Sequence, residues 1–433
     1  MVKQLFLSCE SKLSKLPMHS FLVMHKGELL IEKYYTPYDK NDLHRMFSIT
    51  KSFCSLAILR LISQNKISLQ SHICDFFPEY CDKNTSKWLL DMTIYDMLTM
   101  QTCHSSTTYK LSPNMDSVES FFKTQPSHRS GTIFMYDTSS SHTLAALVKK
   151  LTGYNVLDYL RKEFLNEIGF SKDAYIIKDE FGNEMGGSGL MARPTDLLNV
   201  GKWLLNEIAN SQDTYAEYLK SAVSFHVSTV YATQTIDEQQ GYGYQFWRVR
   251  NNGFAMYGMG GQYLLIYPEK DIIIVTTADL QNIKGGTQIL LDEIYNTVSQ
   301  IDKHTYNDLK KDICPISFNQ DFNFYPNEQG FIKAKLYQNE HGGTFILSHK
   351  HNDFTFKYKF NESTLYKIQN YRVYTTAYPI SQNLIYLKTE ICDEYVGTMH
   401  IVLQYSKNNL SVWLKKVEET LFNEFYGFLE AEI

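Results

Sequence analysis

No apolar run in this chain of 433 residues approaches the roughly 18 to 20 residues that a membrane span requires. The opening stretch, MVKQLFLSCESKLSKLPMHS, carries neither the long apolar region nor the small-residue cleavage site of a secretory signal. Charge of one sign is also scarce. The net charge is −5, and no cluster of Lys and Arg forms, which excludes a nucleic-acid footprint. The seven cysteines (Cys9, Cys54, Cys74, Cys81, Cys103, Cys314 and Cys392) are odd in number and lack metal-type spacing. They read as reduced thiols in a cytoplasmic protein. The length, by contrast, suffices for a large core and suggests two domains.

What is present centres on Met46-Phe47-Ser48-Ile49-Thr50-Lys51 and the helix it opens, which should run to about Asn65. SFCSLAILRLIS (52–63) is apolar on nearly every side, too long for a strand and free of Gly and Pro, so it reads as a buried helix. Ser48 falls at its start, among unpaired backbone N–H groups and the positive end of the dipole, where developing negative charge is favoured. Lys51 follows on the same face, and burial there lowers a lysine pKa and makes it a candidate base. The S-x-x-K spacing recurs at Ser63–Lys66 and Ser120–Lys123, but only Ser48–Lys51 opens a buried helix. An ordinary N-cap serine remains the competing reading of Ser48 on this feature alone.

Residues 19–35 alternate and turn at Lys26-Gly27, as a β-hairpin does. Residues 89–104 read as a helix capped near Thr93, and 141–166 as two amphipathic helices parted at Gly153. The segment 186–207 enters through glycines into a helix with Pro194 and Asp196 at its start. Residues 241–278 read as three antiparallel strands turning at Asn251-Asn252-Gly253 and Pro268–Asp271, with a helix from about Thr287 to Ile301 packed back on them. This is an α+β plan, an antiparallel sheet covered by helices. From Lys303 the chain changes character: 304–329 looks like a polar linker, and seven short alternating segments follow, the pattern of a small all-β barrel or sandwich. The expected division is an α+β domain over 1–302 and a barrel-like domain over 303–433.

Two further features carry chemistry. Tyr136-Asp137-Thr138 precedes a run of small hydroxyl residues at a helix entry. With 31 tyrosines in the chain, a structural hydrogen-bonded tyrosine is the plainer reading, and a proton relay to Ser48 the functional one. Gly258-Met259-Gly260-Gly261-Gln262 enters the strand QYLLIYP. Glycines there mark a bulge or bend, or a close backbone approach to a ligand, in which case the Gln262 N–H would join that of Ser48 to hold an oxyanion.

Together the three features resemble the β-lactamase-related serine hydrolases: class C β-lactamases, D-amino-acid peptidases, family VIII-type esterases and penicillin-binding-protein-like chains. S-I-T-K stands at their S-x-x-K motif, Tyr136-Asp137-Thr138 at Y-x-N, and Met259-Gly260-Gly261 at the third motif. MLTMQTCH and GGSGLMARPTDLLNVGKWLLN fit the family's intervening segments, and the resemblance spans about 19–300. It implies a β-lactamase/transpeptidase-like fold and an acyl-enzyme on Ser48, with Lys51 and Tyr136 sharing the base role and Ser48 and Gln262 supplying the oxyanion N–H groups. Which of the two is the base stays open, because coupled groups titrate as a pair.

Two departures shape the expected substrate. Thr138 replaces the usual Asn and loses an amide donor. Met259 replaces Lys or His and removes a cation for a substrate carboxylate. Thr138, Met259, Gly260 and Gly261 are thus the expected substrate-binding positions, favouring a small ester, amide or peptide over a β-lactam. No metal or organic cofactor is implied, and neither nucleic acid nor membrane is an expected partner; a homo-oligomer is compatible with the sequence. The competing functions are acyl transfer at the same site and a binding protein descended from a hydrolase. His349 and His351 share a strand face without an evident third ligand, and His142 reads as structural.

Overall fold

The computed structural model describes residues 1–433 except 110–113, 234, 302–312, 395 and 418–423. Six antiparallel strands form the central sheet, in the order Glu28–Tyr34, Met18–His25, Ile272–Ala278, Gln262–Tyr267, Gly253–Gly258, Trp247–Val249. Its middle strands are apolar at almost every position because both faces are covered. Phe21, Val23, Leu265 and Ile274 face one core with Phe6, Leu290 and Ile294 of helices Val2–Leu13 and Gly286–Val298. Leu22, Leu264, Ile266, Ile273 and Val275 face the other, with helices Ile49–Ser63 and Pro194–Asn210. Successive side chains of a strand point to opposite faces, so one sheet supplies two cores.

The hairpin turns at Lys26 (φ 50°) and Gly27 (φ 76°), as expected. Asp137 caps helix Thr138–Thr152 through the Ser139 N–H, and Gly153 ends it in a left-handed conformation. Several expectations are corrected. The stretch 89–104 holds only short helices, Lys87–Leu90 and Ile94–Leu98, because the chain turns left-handed at Met100 (φ 57°). The three strands of 241–278 are four, since Gly260 (φ 86°) and Gly261 (φ 99°) break the middle one. Part of the expected linker, Phe318–Phe324, is a strand, its alternating aromatics turning Phe322 into the barrel core. The domain boundary expected at 302/303 falls outside the described residues.

The C-terminal region closes into a nine-stranded barrel, with the extra strand Thr364–Ile368 paired beside Tyr371–Ser381. It docks on the first domain through one face. His128 stacks on Phe428 with ring centroids 3.6 Å apart, and Arg129 pairs with Glu430, which also accepts from Ser411 Oγ at 2.9 Å. Trp413 and Tyr386 pack against Tyr231, whose hydroxyl accepts from the Phe134 N–H at 3.1 Å.

Candidate active site

Helix Ile49–Ser63 is sealed in the core it shares with Leu22, Leu264 and Val275, and two of its serines tie it to the chain that follows the helical region. Ser52 Oγ donates to Gln245 O and Ser55 Oγ to Tyr244 O, each at 2.6 Å. Ser48 sits at the helix N-cap and makes no side-chain capping bond, so its hydroxyl is left for other partners. The residue before it, Phe47, is left-handed (φ 46°), a conformation that costs a non-glycine residue on the order of 1–3 kcal/mol and here turns the chain sharply into the helix. That turn is gripped from two sides. The Met46 N–H donates to Leu190 O at 2.8 Å. Gly258 lies so close that a Cβ there would stand 2.1 Å from Met46 O. Glycine at 258 is therefore a packing requirement of the turn.

Lys51 is 1% exposed, with Nζ 3.0 Å from Ser48 Oγ and 2.7 Å from Gly187 O, to which it donates. Burial pulls its pKa down to about 7, partly opposed by the Asp137 carboxylate. Nζ also lies 4.8 Å from the centre of the Tyr136 ring. Tyr136 lies beside Ser48, and desolvation raises its pKa well above that of free tyrosine, the Ser48 hydroxyl pulling the other way. Its ring stacks on Trp247 at 5.6 Å and meets Tyr242 edge-on at 6.3 Å. Ser48, Lys51 and Tyr136 are thus in mutual contact, and an apolar wall backs them.

Gln262 is paired with Gly258 in the strand register, which sets it beside the turn at Met46–Ser48. Its side chain is spent internally, donating to Ala278 O at 2.6 Å and Met259 O at 3.1 Å and accepting from the Ala278 N–H at 3.2 Å. Gln262 and Phe47 share the wall of a cleft of about 280 Å³ that also includes His19, His44, Arg45 and Asp279. Met259, at the position where the resemblance expects Lys or His, is 48% exposed. Thr138 starts its helix against Gly187, where an added Cβ would stand 2.4 Å from Thr138 Cγ2. His142 lies deeper along that helix, and His349 and His351 sit on the barrel with ring centroids 5.2 Å apart.

Two contributors escaped sequence reasoning. Gly187 O, 136 residues from Lys51, is its closest partner; the glycine-rich entry hinted only at tight packing. Asp137, fully buried, accepts from Ser139 N–H and Ser139 Oγ and is raised by burial to about 6. It is the buried anion nearest in effect to Lys51, and its place between Tyr136 and Thr138 was the available signal.

The family model described as Beta-lactamase matches residues 8–287. The chain belongs to this family. Like its hydrolase relatives, it is a serine hydrolase. A 6-aminohexanoate-dimer hydrolase from Paenarthrobacter ureafaciens is 24% identical over 288 residues, covering 61% of this chain and 74% of that protein. An octameric penicillin-binding protein homologue from Pyrococcus abyssi matches with TM-score 0.52 and 15% identity over 99% of each chain. A penicillin-binding protein homologue from Caulobacter crescentus matches with TM-score 0.55 and 12% identity, covering 68% of this chain and 97% of that one. These two structures share the fold, the first of them across the barrel as well. Among the described residues, no helix is long and apolar enough to cross a membrane.

Proposed function

We propose that this β-lactamase-family chain hydrolyses a small linear amide or ester through an acyl-enzyme on Ser48. The observation that carries the reading is Lys51 Nζ, buried and 3.0 Å from Ser48 Oγ. The environments push the two proton carriers apart: Lys51 is lowered to about 7 and Tyr136 is raised. A neutral amine is therefore available near neutral pH while the phenol keeps its proton, which makes Lys51 the base of the free enzyme. Ser48 Oγ attacks the carbonyl carbon and its proton passes to Lys51 Nζ. The N–H groups of Ser48 and Gln262 receive the oxyanion. Tyr136, beside Ser48, hands a proton to the leaving group as the carbon–heteroatom bond breaks and recovers one from the Lys51 ammonium, and water then enters by the reverse route.

Met259 in place of a cation supports substrates without a carboxylate at that position, and the 6-aminohexanoate dimer in the name of the Paenarthrobacter relative supports a small amide built from an unbranched amino acid. Thr138, Gly260 and Gly261 complete the proposed substrate contacts, with no cofactor. All seven cysteines are free thiols, which supports a cytoplasmic setting. The octameric Pyrococcus homologue supports a homo-oligomer here. The test is a fluorophosphonate probe followed by intact-mass measurement. One adduct is expected on the native chain and none on Ser48→Ala; labelling that survives the substitution refutes the assignment.

A further inference from the structure

We propose that Asp116, His142 and Asp179 bind one divalent transition-metal cation of the zinc class, behind the helix that begins at Thr138. Among the described residues these are the one group of three ligand-type side chains whose donor atoms converge, all within 4.8 Å of one another. His142 is 2% exposed, and neither of its ring nitrogens is in a hydrogen bond among the described residues. Nε2 lies 3.2 Å from Asp179 Oδ2, itself buried and outside hydrogen-bond geometry. A simple His–Asp hydrogen bond explains one nitrogen and one oxygen, but not the approach of a second carboxylate.

The other oxygens are already fixed, as the supports of a metal ligand usually are. Asp179 Oδ1 accepts from the Phe181 and Asn183 N–H groups, at 3.0 and 2.9 Å. Asn183 Nδ2 holds both oxygens of Asp116 at 3.1 Å, and Asp116 Oδ1 also accepts from the Val118 N–H at 2.9 Å. Asp179 Oδ2, Asp116 Oδ2 and His142 Nε2 keep lone pairs to offer. Tetrahedral zinc with bonds of about 2.0–2.2 Å sets its ligands roughly 3.4 Å apart, a closure of at most about 1.5 Å from the observed spread. One imidazole and two carboxylates suit zinc or manganese better than magnesium. The turn at Asp179 leads through Glu184 to Gly187, whose carbonyl takes Lys51, so a bound ion anchors the far end of that loop.

The test uses the full untagged chain stripped with EDTA and titrated with ZnCl2, read by calorimetry, by melting temperature and by the visible absorption of a Co2+-loaded sample. One equivalent should bind and raise the melting temperature, with MgCl2 ineffective. Asp179→Asn and Asp116→Asn keep the amide oxygen for the local N–H bonds and should each weaken zinc on the order of tenfold or more. A folded native chain that binds no zinc overturns the proposal. So does full-strength binding in both Asp variants, or loss of binding in a His349→Ala/His351→Ala chain. Binding is read directly, so the result does not depend on Ser48 being a nucleophile.

Discussion

Replacing Lys51 by Met should change how stability depends on pH as well as abolishing activity. The folded protein holds Lys51 at about 7 against an ordinary value of 10.5, because the ammonium is buried. Between those values the unfolded chain binds a proton that the folded chain does not, so native stability rises with pH through that window. Each pH unit inside it is worth about 1.36 kcal/mol. From pH 8 to 9.5 the native chain should therefore gain about 2 kcal/mol relative to Lys51→Met, in which this titration is gone. The absolute difference is less informative, since Gly187 O and Ser48 Oγ lose a donor in the variant at a cost of about 1–3 kcal/mol. The window is set above pH 8 because Asp137, at about 6, moves up once its neighbouring cation is removed. Urea unfolding of both chains at several pH values measures the difference, and every other titrating group is common to the two. A difference that stays constant from pH 8 to 9.5 refutes the buried, proton-depleted lysine.

Other consequences can be checked on the same protein. With Lys51 as base, kcat/KM on p-nitrophenyl esters should rise through about pH 7 with unit slope; a fall above pH 7 would assign the charged lysine instead and return the base role to Tyr136. Gly258→Ala forces a Cβ against Met46 O and should cost roughly 1–3 kcal/mol while cutting ester turnover by tenfold or more, and native-like turnover would show that the nucleophile turn yields freely. Met259→Lys should raise β-lactam acylation relative to ester acylation by up to about 1.5–3 kcal/mol, the worth of a hydrogen bond to a charged group. Efficient penicillin turnover by the native chain would mean that another cation already serves.

How far the site could be read from residues alone depended on how local each signal was. Ser48 and Lys51 lie on consecutive positions of one helix face, and the apolar run behind them made its burial plain. Gly260 and Gly261 flagged a backbone that only glycine adopts readily. Gly187 O and Asp137 act through tertiary placement: nothing local distinguishes the one carbonyl that ends beside Lys51, and only its place between Tyr136 and Thr138 marks the carboxylate. Helix Val2–Leu13 was legible in principle, since Val2, Phe6, Cys9 and Leu13 recur at helical spacing. Strand Phe318–Phe324 was hidden: Asn319, Asp321 and Asn323 are its exposed half, and Gln320 interrupts the aromatic face that carries Phe318, Phe322 and Phe324.

An appended barrel can serve as a stabilising appendage remote from Ser48 or as a wall of the substrate pocket; the docking surface points to a third role. Its contacts fall on His128, Arg129 and, through Tyr231, Phe134, so they brace the segment that delivers Tyr136 two residues later. Support given to Tyr136 acts on proton transfer, which every substrate needs, and not on the contacts that distinguish one substrate from another. A chain ending at Ile301 should therefore lose kcat by a similar factor on short p-nitrophenyl esters and on larger amides, with their ratio unchanged. Trp413→Ala in the full chain should act in the same direction more weakly, and covers the case in which the shortened chain fails to fold. Unchanged kcat on both substrates in a folded chain would make the barrel remote after all. A shifted ratio would place barrel side chains on the substrate itself, because only a group touching the variable part of the substrate can change one rate without the other.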